Sequence, residues 1–426
     1  MHTSKEYKKR IIDDVLEFRL ATFGAVLVVG PKWCGKTTTC EQKAKSVLRL
    51  QDPDAIIKYK AASDIKPSLL LDGENPRLID EWQIIPSIWD SVRTQVDIKK
   101  EKGLFILTGS NSVKEKDNMH SGIGRISRLK MYPMSLYESD ESNGKISLKD
   151  LFNDANLKID FIESNMQIED YIFASCRGGL PEAVLAKDDK SKLFIVKDYI
   201  NSIISVDMKT VDDVKRNENL TRLILKTYAR NISTLAKKSS MLADISEEYE
   251  TISSPTFDSY LAALKSLYVI EEVEAWNLNI RSKTSVRANN KREFVDPSFA
   301  VAALGITPYD LLDDLNTFGF IFENLCIRDL RIYSEYMGAK ISYYRDRSGL
   351  EADAILTLDN GKYALIECKL GSSEIDKGAT NLLHIKDLIE KKGMRTPDLL
   401  IVITGGKIAY EREDGVKVIP LGCMKM

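Results

Sequence analysis

Gly30-Pro31-Lys32-Trp33-Cys34-Gly35-Lys36-Thr37 is the stretch on which the reading of this chain turns. Two glycines with four residues between them, then a lysine and a hydroxyl residue, form the spacing of a loop that wraps phosphates. The run Ala25–Val29 before it is short and apolar, as a strand is, and residues 36 to about 50 read as a helix. A strand that runs into glycines opening a helix gives the spacing its meaning; a chance match in a tight turn is the alternative. Glycine lets backbone N–H groups approach the phosphates, and the helix N-terminus adds its positive end. Gly30, Pro31, Lys32, Trp33, Cys34, Gly35, Lys36, Thr37 and Thr38 are thus expected around a nucleotide. Lys36 would reach the β- and γ-phosphates and the Thr37 hydroxyl would ligate Mg²⁺, with ATP the expected nucleotide.

Such a loop needs a carboxylate at the end of a neighbouring strand. Arg77-Leu78-Ile79-Asp80-Glu81-Trp82 supplies a pair. Asp80 fits the Mg²⁺-facing position and Glu81 the polarisation of an attacking water, a general-base task. An acidic turn at a strand end is the plainer alternative. Leu104-Phe105-Ile106-Leu107-Thr108-Gly109-Ser110-Asn111 reads as a buried strand ending in polar groups. In a parallel sheet that end lies beside the nucleotide, so Ser110 or Asn111 is expected to sense the γ-phosphate. Within Ser121-Gly122-Ile123-Gly124-Arg125-Ile126-Ser127-Arg128, Arg125 is the expected arginine finger, in cis or from a neighbouring subunit. Arg128 is its alternate, and a plain surface arginine is the competing reading.

Working outward, Ile11, Ile12, Val15, Leu16 and Leu20 share one face of a helix over 11–23. Short strands are expected at 56–59, 78–80, 104–108 and 126–132, with a helix at 88–99. Strands alternating with helices predict an α/β fold with a mostly parallel sheet covered on both faces. Residues 160–215 turn helical. Helices such as 257–267 then lead into strand-like runs at 269–274 and 293–295 around a basic stretch, an order like that of a winged helix. From 306 a second α/β unit begins, with a helix over 318–336 and strands at 341–344, 350–358 and 363–370. Helix Ile375–Lys391 and strand Leu399–Thr404 complete it. The expected divisions are 1–160, 161–215, 216–305 and 306–426.

In Leu350-Glu351-Ala352-Asp353-Ala354-Ile355-Leu356, period-two alternation puts Glu351 and Asp353 on one face. The same rule pairs Glu367 with Lys369 in Ala364-Leu365-Ile366-Glu367-Cys368-Lys369-Leu370, and the turn Asp359-Asn360-Gly361-Lys362 joins the runs as a hairpin. Asp353 and Glu367 would then offer oxygens to a divalent metal, with Lys369 near an attacked phosphate and Glu323 completing the shell. A charged hairpin face on which Lys369 simply pairs with Glu367 is the alternative.

The first half resembles the AAA+ ATPase superfamily, and more closely the bacterial and archaeal group whose ATPase core is fused to a C-terminal domain long labelled as of unknown function. The likeness rests on the glycine loop, Leu78-Ile79-Asp80-Glu81-Trp82-Gln83, Leu107-Thr108-Gly109-Ser110 and Gly124-Arg125. Met131-Tyr132-Pro133-Met134-Ser135-Leu136, Arg177-Gly178-Gly179-Leu180-Pro181-Glu182 and Gly415-Val416-Lys417-Val418-Ile419-Pro420-Leu421 add to it. It implies a helical lid over 161–215, with Arg177 a candidate contact to the nucleotide, then a winged-helix-like segment and a nuclease-like fold. Independently, Asp353, Glu367-x-Lys369 and the order of elements from 318 resemble the PD-(D/E)xK restriction-endonuclease-like superfamily. A fold does not carry its chemistry with it.

Composition narrows the partners. Hydrophobic residues at 43% against 29% charged exclude a disordered chain, and 426 residues exceed one ordinary core. A net charge of −2 gives no global pull toward nucleic acid. Arg281, Lys283, Arg287, Lys291 and Arg292, with no acid among them over 281–292, form the local candidate for DNA phosphate contacts. A solvated loop is the alternative. Six scattered cysteines without a C-x-x-C pair, and three isolated histidines, argue against a zinc site and for free thiols in a reducing cytosol. No run approaches about 18 apolar residues, so a cytoplasmic protein without membrane contact is expected. The leading expectation is a Mg²⁺-dependent ATPase whose cycle positions a C-terminal nuclease-like module on DNA. The competing one is an ATP-dependent switch or scaffold whose silent C-terminal domain binds a protein. An oligomer follows if Arg125 acts in trans.

Overall fold

Strand β1 (Ala25–Val29) is buried along nearly its whole length, because its apolar side chains are covered on both faces of a parallel sheet. The computed structural model describes residues 7–109, 122–212, 214–276 and 289–426. Two units divide the chain, residues 1–132 with 266–268, and 133–265 with 269–426.

In the first unit, helix α1 (Ile12–Thr22) turns Leu16 and Leu20 inward and hands over to β1. Helix α2 (Lys36–Glu41), β2 (Ser46–Arg49), α3 (Ile56–Ile65), β3 (Arg77–Asp80), α4 (Ser87–Lys99), β4 (Phe105–Gly109) and β5 (Ile126–Lys130) follow. The sheet order is β2-β3-β4-β1-β5, and every pairing is parallel. All strands therefore end on one edge, where β1 runs into the glycine loop and β3 into Asp80. The core on one face gathers Leu27, Ile79, Phe105 and Leu107 with Trp89 and Val92 of α4. The Trp82 and Trp89 rings meet at 4.9 Å.

Two expectations fail in this unit. The helix opened by Lys36 stops at Glu41, and Ser46–Arg49 is an edge strand against β3, so sheet pairing wins over the helical pattern to Leu50. Residues 56–59 belong to helix α3, not to a strand. Ile56, Tyr59 and Ala62 recur at helical spacing and pack on the same core, a period that outweighs the β-branched start.

The second unit opens with β6 (Ile146–Ser147), α5 (Leu148–Asn153) and β7 (Ile162–Glu163). Helices α6 (Ile168–Arg177), α7 (Pro181–Val184), α8 (Asp189–Ser202) and α9 (Met208–Thr210) follow. Then come α10 (Glu218–Arg230), α11 (Lys238–Glu248), α12 (Ser254–Ser266) and the antiparallel pair β8 (Ile270–Val273) and β9 (Lys291–Phe294). Short helices α13 (Pro297–Leu304) and α14 (Pro308–Asp313) lead to the long α15 (Leu315–Met337). The remaining elements are β10 (Ala339–Arg345), β11 (Glu351–Leu358), β12 (Tyr363–Lys369), α16 (Ile375–Lys391), β13 (Leu399–Thr404), β14 (Ile408–Glu411), β15 (Lys417–Pro420) and β16 (Met424–Lys425). A mixed sheet runs β10-β11-β12-β13-β15-β14-β7. Helix α16 covers it through Ala379, Leu382, Ile385 and Ile389.

The division near Tyr132 falls short of the expected boundary at 160. Residues 133–160 join the second unit because β6 pairs with β16 and β7 with β14. The Leu136 N–H likewise donates to Oδ2 of Asp329 at 3.0 Å. Those partners lie hundreds of residues away, so no local pattern announces them.

Candidate active site

Gly30 and Gly35 shape the phosphate loop. Gly30 has φ 151°, and a Cβ there would meet the Met131 carbonyl oxygen at 2.1 Å; Gly35 has φ 97°, at the entrance to α2. Both positions lie in backbone territory that favours glycine. Trp33 sits at the loop tip, 59% exposed, while Cys34 beside it is buried. The Lys36 ammonium, itself buried, donates to the carbonyls of Gly30 and Pro31 at 3.0 and 2.7 Å.

The sheet order places β4 between β1 and β3, and a threonine at its end joins the two acidic residues. Oδ1 of Asp80 accepts from the Thr37 hydroxyl at 2.7 Å and from the Thr108 hydroxyl at 2.6 Å. The same Thr108 oxygen accepts the Glu81 N–H at 3.0 Å. Glu81 stands in the left-handed region at φ 55°, and its carboxylate accepts from the Gln83 side-chain amide. A non-glycine residue held there marks a site where surrounding structure overrides backbone preference. These groups fit a Mg²⁺-bound triphosphate: amides and an ammonium for phosphate, Thr37 and Asp80 for the metal.

Two further residues, with no role expected from the sequence, support the site. Thr108 stands in the strand end Leu107-Thr108-Gly109-Ser110 without an expected role, yet it fixes both acids. Arg10, just before α1, is buried and donates to the carbonyls of Cys34 and Tyr132, each at 3.0 Å, bracing the loop from beneath. The motif Leu107-Thr108-Gly109-Ser110 holds the first, and no local motif marks the second. In the sequence Arg10 is only the last cation of Lys8-Lys9-Arg10, directly before the amphipathic helix.

Other expected residues fall elsewhere. Arg125 immediately precedes β5, whose first residue pairs with Ala25, the first of β1. The loop follows the last residue of β1, so Arg125 lies at the opposite edge of the sheet, roughly 16 Å along the strands. It pairs there with Asp97 at 2.9 Å, and a cis contact with the loop is not made. Arg128 lies in mid-strand, over the Trp89 ring at 5.9 Å. Ser110, Asn111 and Ser121 lie outside the described residues. Arg177 is buried, with its guanidinium directed to Glu141 at 2.9 Å and to the Gly178 carbonyl at 2.8 Å.

A second constellation forms in the second unit. Asp353 (β11), Glu367 and Lys369 (β12) and Glu323 (α15) are brought together as their alternation suggested, but not around an open position. Lys291, 1% exposed at the start of β9, sends its ammonium to Asp353 Oδ1 at 3.1 Å and Glu351 Oε1 at 3.2 Å, and also to Glu323. Lys369 pairs with Glu367 at 2.5 Å. Burial opposes ionisation of Asp353, but Lys291 and Lys369 outweigh it and hold the carboxyl down at about 2. Burial and the Asp353 charge push Glu367 up to about 8. Among the described residues, no group of three or more acids, histidines or cysteines is arranged to hold a metal ion. The expected metal ligands Asp353 and Glu367 are thus committed to ammonium groups.

That geometry also corrects the basic stretch. Lys291 and Arg292 are buried on β9, and Arg292 donates to the Ala236 carbonyl at 2.8 Å, so neither faces a phosphate backbone. Arg281, Lys283 and Arg287 lie outside the described residues.

Comparison with known proteins agrees with the first unit. Residues 22–139 match the family model of an AAA domain. Residues 168–310 and 318–424 match two models described as domains of unknown function, DUF8612 and DUF4143. The solved Walker-type ATPase PABY2304 of Pyrococcus abyssi is similar at 16% identity, over 70% of this chain and 97% of that one, with a TM-score of 0.44. No curated protein matches. The chain is an α/β protein with the five-stranded parallel sheet of a P-loop ATPase core, a helical middle and a C-terminal mixed-sheet domain. Among the described residues, no helix is long and apolar enough to cross a membrane.

Proposed function

We propose that the chain binds ATP with Mg²⁺, hydrolyses it, and uses the cycle to control its C-terminal domain. The observation that carries this is the Thr37–Asp80 hydrogen bond at the mouth of the phosphate loop, with Glu81 held beside it through Thr108. In this reading Lys36 leaves the loop carbonyls for phosphate oxygens, and the loop amides share the negative charge. Mg²⁺ would neutralise charge developing on the phosphates. Glu81 orients and deprotonates water.

Replacing Glu81 with Gln keeps size and hydrogen bonding but removes the base. ATP binding should persist while phosphate release falls by about 10²-fold or more. Unchanged release would assign the base elsewhere.

The C-terminal domain is read as nuclease-like on its helix, three strands, helix and strand, and on the meeting of Asp353, Glu367 and Lys369. The three helices before β8 and β9 support a winged-helix-like segment. A silent domain that binds a protein partner is favoured over an active nuclease by one observation, the Lys291 ammonium standing among the acids.

A further inference from the structure

Lys291 reaches the second constellation from outside the sheet that carries it. Its three acceptors come from Glu323 of α15 and from Glu351 and Asp353 of β11. An ammonium has three N–H donors, so this set saturates it. The outer contacts are equally committed. Asp353 Oδ2 accepts the Cys368 N–H at 2.9 Å, and Glu367 Oε1 accepts from the Asn381 amide at 3.2 Å. Glu293, two residues beyond Lys291 on β9 and fully buried, turns to Asn324 and Ser233, and its Oε1 has no hydrogen-bond partner. Five carboxyl groups thus face Lys291 and Lys369, with Arg345 on the outer oxygen of Glu351 at 3.0 Å.

Mg²⁺ needs oxygen ligands at about 2.0–2.1 Å. Here oxygens of three carboxylates converge at ammonium distance on an atom of the chain itself. A second cation beside a buried ammonium would meet strong repulsion at low dielectric. We propose that Lys291 is the resident cation of this centre: the C-terminal domain is a nuclease-like fold whose divalent-ion position is filled by its own side chain. As folded it takes no Mg²⁺ or Mn²⁺. Removing the ammonium by substitution frees the carboxylates of Glu323, Glu351 and Asp353 to close from ammonium distance onto a divalent ion. The identity of the site rests on the nuclease-like reading, but its Mn²⁺ readout is independent of ATP turnover, so either can fail without the other.

The test uses the full chain carrying Asp80→Ala, so that the ATPase site contributes no metal. Mn²⁺ binding is followed by electron paramagnetic resonance and calorimetry, without nucleotide. The parent should bind no Mn²⁺ in this centre at millimolar concentrations, and its Tm should not move with added Mn²⁺. Lys291→Met should gain one Mn²⁺ per chain, and its Tm should rise by several degrees with the metal. Adding Asp353→Asn to Lys291→Met should abolish both gains. If Lys291→Met unfolds for want of a counter-charge, Mn²⁺ should restore the fold. A parent that binds Mn²⁺ in an Asp353-dependent way overturns the proposal. So does a Lys291→Met chain that gains no Mn²⁺ site, or that stays unfolded when Mn²⁺ is supplied.

Discussion

The Thr37 hydroxyl donates to Oδ1 of Asp80 over 2.7 Å, tying the first turn of α2 to the end of β3. The two groups proposed to meet Mg²⁺ are therefore adjacent within the fold itself. Asp80→Asn keeps the shape and removes the charge. ATP affinity should lose its dependence on Mg²⁺, and turnover should fall by about 10²-fold. Phosphate release across a Mg²⁺ titration measures both, and a curve that does not shift would remove Asp80 from the site.

Thr108→Val deletes one hydroxyl that serves both acids. Asp80 loses a 2.6 Å donor and the Glu81 N–H its acceptor. A buried group left unsatisfied costs about 1–3 kcal/mol, read as a lower Tm. Because Glu81 loses its anchor, kcat should fall more than ATP affinity. Loss of stability with kcat preserved would make Thr108 a purely structural residue.

Arg10→Met strips the donors from the carbonyls of Cys34 and Tyr132. The loop should loosen, with a stability loss of about 2 kcal/mol and ATP affinity weakened several-fold. Arg10→Lys should recover only part of this, because a single ammonium does not reproduce the guanidinium fork. Titration with a fluorescent nucleotide analogue, beside thermal melts, checks the order wild type, Lys, Met.

Burial pushes the Glu293 carboxyl up from its ordinary 4.5 to about 7, against the pull of Lys291 and Arg331. The folded chain thus keeps this proton at pH values where the unfolded chain has released it. The sign follows from linkage: stability falls as pH climbs from about 4.5 to about 7 and stays low above. Glu293→Gln has no such proton, so its urea stability should fall less over that window. Parallel profiles would be evidence against Glu293 as the titrating group.

The phosphate loop and its acidic pair were legible in the sequence because each is contiguous: Gly30 to Thr37 and Asp80-Glu81 carry their own spacing. The strands of the C-terminal sheet were legible for a related reason, since period-two alternation is local. Lys291 was misread because its meaning is not local. Beside Arg281, Lys283 and Arg287 it looks like one more surface cation, and its acids lie 32, 60 and 62 residues further on. Arg125 failed in cis for a similar reason: adjacency to the expected motif said nothing about which edge of the sheet it would occupy.

The pairing of β6 with β16 has a mechanical consequence. The strands run parallel, with Ile146 opposite Met424 and Ser147 opposite Lys425, and the Ser147 hydroxyl donates to the Met426 carbonyl at 2.9 Å. Tension applied to the second unit from its two ends acts along these strands in opposite directions. The rungs of such a clasp are sheared together instead of being peeled apart one at a time, so a pulling force meets resistance before it reaches the hydrophobic interior.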